Sequence, residues 1–160
     1  RTAEFLLTHP VSRTRIVFDK LLCVLIQILI LNAVSILTSM AVIYAIGEEL
    51  QMTEFLLLHA AYLLLQIEIA AVCFGISSAL RRSGIGVGLG IAAFLYFLNI
   101  IANLTEEADW LKYITPFGYA EAADIITNAK VDPVLMGIGC AVTITGIAAA
   151  FVVYTRKDIH

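Results

Sequence analysis

Residues 21–46 read LLCVLIQILILNAVSILTSMAVIYAI, a stretch without one charged side chain. A helix needs about 20 apolar residues to cross a hydrocarbon core that is about 30 Å thick. Lipid offers no hydrogen-bond partner to backbone N–H and C=O groups, so a crossing segment of this length satisfies them within itself as an α-helix. The stretch therefore predicts a transmembrane helix and sets the class of the chain.

Three further stretches reach the same length, at residues 55–80, 85–104 and 134–154. The composition agrees, since 61% of the residues are hydrophobic and 14% are charged, against about 45–50% and about 25% in a soluble domain. We predict an all-α integral membrane helical bundle, with a transmembrane domain over residues 21–154 that crosses the bilayer four times.

The distribution of Lys and Arg predicts the orientation, because these residues are retained on the cytoplasmic side of a membrane. Eight of the ten basic residues lie on one side of the predicted spans, and only Lys112 and Lys130 lie on the other side, in the loop at residues 105–133. This asymmetry places that loop outside the cell, together with the acidic loop at residues 47–54. Both ends of the chain are then cytoplasmic, with residues 155–160 as a short tail. The basic residues on the predicted cytoplasmic side are Arg1, Arg13, Arg15, Lys20, Arg81, Arg82, Arg156 and Lys157.

The loop at residues 105–133 is long for a simple connection and is rich in aromatic residues, which suit the membrane interface. We expect short helices, interrupted at Pro116 and Gly118, that lie at or partly within the outer leaflet. Two roles stay open for this loop, either as a gate on an exit path or as an interfacial anchor alone. Its aromatic residues are Trp110, Tyr113, Phe117 and Tyr119.

Residues 2–20 form a short amphipathic stretch that is interrupted at Pro10. Pro10 suits a turn or the first turn of a helix, and Ser12 is a candidate N-cap for the helix that continues into the first span. We expect two short cytoplasmic helices with a bend between them.

This stretch resembles the pattern E-x-L-L-x-x-P-V-S-R-x-x-I-x-x-x-K of type-2 ABC transporter permeases, from Glu4 to Lys20. The segment Thr115-Pro116-Phe117 resembles the extracellular S-P-F element of that family, with Thr in place of Ser. Residues 154–158, YTRKD, resemble its closing Y-x-x-K-D tail. Because these elements lie near the start, in the long loop and at the end, the resemblance extends over essentially the whole chain.

The resemblance implies that residues 1–20 are a cytoplasmic coupling segment on a separate ATPase subunit, and that residues 105–133 are a short extracellular helical element. It also implies the plasma-membrane subunit of an ATP-driven exporter that works as a homodimer or heterodimer of permease subunits. ATP would bind in the partner, and the first two of six membrane helices would be absent from this chain. The implied coupling residues are Glu4, Leu6, Leu7, Pro10, Ser12, Arg13, Arg15 and Lys20.

Other interpretations stay open. Amphipathic basic segments beside a span also rest on anionic lipid without coupling to anything. In a second hypothesis the chain is a non-transporting membrane scaffold or sensor, whose amphipathic start docks a different partner. An ion-coupled carrier would need a charge inside the membrane and internal repeats, and we detect no such repeats.

Glu68 is the acidic residue deepest in a predicted span, and burying it ionised costs about 2.5–3.5 kcal/mol on insertion scales. We consider two roles for it, as part of a translocation path together with Asn99 or as a hydrogen-bonded carboxyl that holds helices together. Gln27, Asn32 and Asn103 are candidate hydrogen-bond partners between helices, a role that also suits Asn99.

Small residues recur at helical spacing on two spans, which predicts close helix packing or a dimer contact. The glycine run at residues 84–90 does not fit G-x-G-x-x-G, so it predicts no phosphate site. The two small-residue faces are Gly84, Gly88 and Ala92, and Gly137, Ala141, Thr145 and Ala149.

The sequence predicts no catalytic residue, cofactor or metal site in this chain. It contains no G-x-x-x-x-G-K-[ST] loop for ATP, and its three cysteines show no C-x-x-C spacing. The three histidines lie in different regions, which does not favour a metal site. Its basic residues form no stripe, so nucleic-acid binding is not expected.

Overall fold

A computed structural model describes residues 12–79 and 85–156. Within these ranges the regular elements are all helical, which confirms the predicted all-α fold. In chain order the elements are α1 (Arg13–Ile46), α2 (Met52–Ala79), α3 (Ile85–Leu104), two 3₁₀ helices (Glu106–Tyr113 and Gly118–Ala120), α4 (Ala122–Asn128) and α5 (Pro133–Arg156).

Four segments are long and apolar enough to cross a membrane, and the predicted four-span bundle is confirmed. The α2 helix begins at Met52, earlier than the predicted start at residue 55, and Glu54 lies in its first turn. A carboxylate at that position stabilises the positive end of the helix dipole, an effect that hydropathy does not register. The four segments are Thr14–Ile46, Met52–Ala79, Gly86–Leu104 and Pro133–Thr155.

The α1 helix starts outside the predicted span, at Arg13. Ser12 is its N-cap as predicted, because the Ser12 hydroxyl accepts a hydrogen bond from the backbone N–H of Arg15 at 3.3 Å. Residues 13–20 therefore form the first two turns of α1 and run into the first span, as predicted for the helix that Ser12 caps. Residues 1–11 lie outside the described ranges.

The α2 and α5 helices pack with their backbones in contact. A Cβ atom placed on Gly75 would lie 2.9 Å from the carbonyl oxygen of Gly146, and one placed on Gly146 would lie 2.7 Å from the carbonyl oxygen of Ala71. Such small residues allow membrane helices to approach this closely. The Asn32 amide of α1 adds an interhelical hydrogen bond to the carbonyl oxygen of His59, at 3.5 Å.

The predicted small-residue face of α5 does not make this contact. Gly137 and Ala141 are exposed, and a Cβ atom placed on Gly137 would have no neighbour within 4 Å. Gly139 lies on the opposite side of the helix, since two residues turn it by about 200°. Gly88 is one of the predicted packing residues of α3, and a Cβ atom placed on it would lie 3.4 Å from the Cys73 sulfur of α2. Gly84 lies outside the described residues.

Residues 105–132, which we call the outer element after the side of the membrane predicted for them, fold as the predicted short helices. The α3 helix packs mainly against the first 3₁₀ helix of this element and only lightly against α2. A buried apolar cluster joins the outer element to α2 and α5, and its members are Ala61, Leu65, Tyr119, Ala120, Ile125 and Leu135.

Candidate functional site beneath the outer element

Glu68 and Tyr119 form a buried hydrogen bond between α2 and the outer element. The Tyr119 hydroxyl donates to Oε2 of Glu68 at 3.0 Å. Glu68 is 4% exposed and Tyr119 is 5% exposed. A carboxyl group this deep in a span is stable only with a partner, and Tyr119 supplies one.

Gly139 of α5 completes this site. A Cβ atom at Gly139 would lie 2.5 Å from Oε2 of Glu68 and 3.0 Å from Cε1 of Tyr119. Burial and, secondarily, the Glu68 carboxyl raise the pKa of Tyr119 above its ordinary value, so its hydroxyl keeps the proton that it donates. The α2 helix, the outer element and α5 thus meet at the hydrogen bond between Glu68 and Tyr119, because Gly139 has no side chain to keep them apart.

Thr115 ties the outer element to α3. Its buried hydroxyl donates to the carbonyl oxygen of Leu95 at 3.0 Å and accepts from the backbone N–H of Phe117 at 3.3 Å. Serine carries the same hydroxyl, so the Thr in place of Ser in the T-P-F segment preserves the group that makes both contacts.

Glu121 makes a second tie to α3. Its Oε2 accepts from the side-chain amide of Asn103 at 2.7 Å and from that of Asn99 at 3.5 Å. Both asparagines therefore act between elements, as the hydrogen-bonding interpretation predicts. The other amide atom of Asn99, Oδ1, is buried and has no hydrogen-bond partner among the described residues.

A cavity of about 290 Å³ lies beside Glu68, between the outer element and the spans. Its wall is mostly apolar, and Lys112 contributes to its lining. The Lys112 ammonium is paired with Asp109 at 2.6 Å. Asn99 lines a different recess, so the structure does not bring Glu68 and Asn99, the two candidate path residues, into one cavity.

The predicted coupling residues are described only in part. Ser12 caps α1, and Arg15 and Lys20 are exposed on its first turns. The Lys20 ammonium lies 5.3 Å from the ring centroid of Tyr154, a cation–π contact that links α1 to the end of α5. Glu4, Leu6, Leu7 and Pro10 lie outside the described residues, as does the side chain of Arg13.

Sequence reasoning missed three residues of this site. Tyr119 was expected at the interface as an anchor, yet it is buried against Glu68. Gly139 lies outside the small-residue face that the i, i+4 spacing indicated, and no local pattern distinguishes Glu121 from its acidic neighbours. The sequence feature that could have pointed to Glu121 is the pair Asn99 and Asn103, because their i, i+4 spacing places two amides on one face of α3.

No group of three or more His, Cys, Asp or Glu side chains with the geometry of a metal site occurs within residues 12–79 and 85–156. The cysteines Cys23, Cys73 and Cys140 are free thiols.

Four apolar spans joined by a folded outer element define a multi-pass helical membrane protein. Residues 1–159 match the family described as ABC-2 family transporter protein, and the chain belongs to that family. It is accordingly a membrane permease of an ABC transporter, a class of membrane subunit that associates with ABC ATP-binding subunits. Neither a curated protein nor a solved structure shows a significant match to the chain.

Proposed function

We propose that this permease is the membrane-spanning subunit of an ATP-driven exporter in the plasma membrane, with both ends of this chain in the cytoplasm. A separate ATP-binding subunit hydrolyses ATP, and a second permease subunit, identical or different, completes the transporter. Residues 1–20 dock on the ATP-binding subunit and transmit its movement. This chain breaks no bond itself.

The observation that carries the proposal is the continuity of α1 with the coupling segment. The helix has 34 residues, which at about 1.5 Å per residue is about 50 Å, against about 30 Å of hydrocarbon core. Because Ser12 caps α1 at its first turn, residues 13–20 of the coupling segment belong to a formed helix, and a push on them moves the first span. The proposed coupling segment is thus a direct extension of the first span.

The path from this helix to the outer element runs through α5. Lys20 contacts Tyr154 near the cytoplasmic end of α5, and Gly139 near its other end touches Glu68 and Tyr119. A shift of α1 against α5 therefore reaches the hydrogen bond that holds the outer element down. The outer element then acts as a gate, and cargo moves only if it binds the two arrangements with different affinities.

The test uses the complete permease with the ATP-binding subunit that co-purifies with it, in lipid vesicles. Spin labels at Leu56→Cys on α2 and Trp110→Cys on the outer element, both exposed positions, report their separation in a background without the native cysteines. We expect the distance distribution to change between the nucleotide-free and the ATP–vanadate states. Combined Glu4→Ala and Arg15→Ala substitutions should abolish this change, and Lys130→Ala should not.

An unchanged distance with ATP–vanadate in the parent protein would contradict gating by the outer element. ATP hydrolysis that proceeds at the same rate without the permease would contradict coupling, and would favour the scaffold or sensor interpretation. Measuring both quantities on one preparation separates the two failures.

A further inference from the structure

A second recess lies between α2, α3 and the outer element, and we call it the aromatic groove. It is lined by the rings of Tyr62, Tyr96 and Phe117 and by the polar side chains of Glu121 and Asn99. Its volume is about 510 Å³, within the range of about 300–1,000 Å³ that small-molecule sites span. The proposed function makes no use of this groove.

Two of the rings form walls at a steep angle to each other. The centroids of Tyr96 and Phe117 are 5.4 Å apart, and their planes make an angle of 68°. Tyr96 is half-exposed, so its ring is not consumed by packing within the chain. The faces of aromatic rings carry negative charge density and attract cations, and quaternary ammonium groups are the ligands best known for this contact.

The polar groups of the groove also favour a cation. Within the described residues, the Glu121 carboxyl accepts hydrogen bonds from two neutral amides, and no base forms an ion pair with it. Asn99 is 8% exposed, and its side-chain amide donates to Glu121 at 3.5 Å, which helps to hold that carboxyl group at the wall of the groove.

Lys112, a basic residue of the outer element, does not supply a cation to Glu121. Its ammonium pairs with Asp109 at 2.6 Å, and that hydrogen bond is the main reason its pKa is raised. Glu121 adds only a smaller electrostatic contribution. The groove therefore presents aromatic rings and a carboxyl group, and among the described residues no base forms an ion pair with that carboxyl group.

We propose that the aromatic groove binds an organic ammonium group, with the cation against the exposed ring of Tyr96, beside its edge-to-face contact with Phe117, and with its charge facing Glu121. The ligand is either a free solute or the headgroup of a choline or ethanolamine lipid, because the groove lies at the outer end of two membrane spans. This site is independent of coupling to ATP.

The test measures binding of radiolabelled choline to the complete permease in detergent by equilibrium dialysis. A parallel arm measures by mass spectrometry whether phosphatidylcholine is retained over phosphatidylglycerol after extraction. Glu121→Gln keeps an oxygen that accepts from Asn103 but removes the charge, and Tyr96→Leu removes the ring. Each should weaken the interaction by at least about tenfold.

Two matched controls keep the test specific. Tyr96→Phe preserves the ring face and should bind within about twofold of the parent protein, since the face carries the attraction. Asp124→Asn removes a carboxylate from the neighbouring helix that lines a different recess, and should also bind normally.

Choline binding that shows this pattern assigns the groove to a soluble cation. Selective retention of phosphatidylcholine with the same pattern, without choline binding, assigns it to a lipid headgroup. Absence of both, or equal loss in Asp124→Asn and Glu121→Gln, overturns the proposal.

Discussion

The packing of α2 against α5 makes a quantitative prediction about three glycines on one helix. Alanine at residue 146 would place its Cβ 2.7 Å from a backbone oxygen of Ala71, which cannot move without displacing α2. Alanine at residue 139 would meet the end of the Glu68 side chain, which can rotate away. Alanine at residue 137 would meet nothing within 4 Å.

The magnitude follows because helix propensity cancels between these variants. Each exchange gains about 0.8–1.0 kcal/mol of intrinsic helix stability, so differences among them report the steric term alone. Over-packing costs about 1–3 kcal/mol, and we expect Gly146→Ala to be less stable than Gly137→Ala by that amount. The Gly139→Ala protein should fall between them, because the displaced Glu68 carboxyl loses its hydrogen bond from Tyr119. Such a bond is worth about 0.6 kcal/mol on average in membrane proteins.

The assay is unfolding of the purified permease in mixed micelles with increasing sodium dodecyl sulfate, followed by far-ultraviolet circular dichroism. Gly75→Ala provides an independent check from the other side of the contact, since its Cβ would lie 2.9 Å from the Gly146 oxygen. Equal stability of the Gly146→Ala and Gly137→Ala proteins would refute the reasoning, because it would mean that α2 and α5 do not approach at Gly146.

Three further substitutions test single contacts. Tyr119→Phe removes the hydrogen bond to Glu68 and should lower the free energy of unfolding by about 0.6–1.7 kcal/mol; the exposed Tyr113→Phe is its control, and equal effects would contradict the contact. Thr115→Ser should retain both hydroxyl contacts, and Thr115→Val should lose them at a cost of about 1–3 kcal/mol, measured in the same unfolding assay, so indistinguishable variants would exclude a role for the hydroxyl. Ser12→Ala should destabilise the first turn of α1 by about 0.5–2 kcal/mol, seen as faster hydrogen exchange of the Arg15 amide, and unchanged exchange would show that the cap contributes nothing.

The spans could be predicted from the sequence because a bilayer imposes one requirement on every residue of a crossing segment. Length and apolarity at residues 21–46 suffice for a helix, whatever packs beside it. The Ser12 cap was likewise predictable, since it depends on residues within one turn. The continuation of the capped helix into the first span followed from the same signal, whereas hydropathy alone marks where lipid begins and not where a helix begins.

The candidate site could be predicted only in part. Glu68 was found because a buried carboxyl is costly wherever it lies, but its partner, Tyr119, is far along the chain and looks like an ordinary interfacial aromatic residue. Spacing on α5 identified one small-residue face, which includes Gly137, but the glycines that contact α2 are Gly139 and Gly146. Gly137 and Gly139 differ only in the direction they face, and that direction depends on tertiary packing.

The way α3 is held also constrains how the protein is made. Its contact with α2 is light, and its firm attachments are to Thr115 and Glu121, which follow it in the chain. During synthesis α3 is therefore made before the residues that hold it, and its firm attachment can form only after residues 105–121 have been added to the chain.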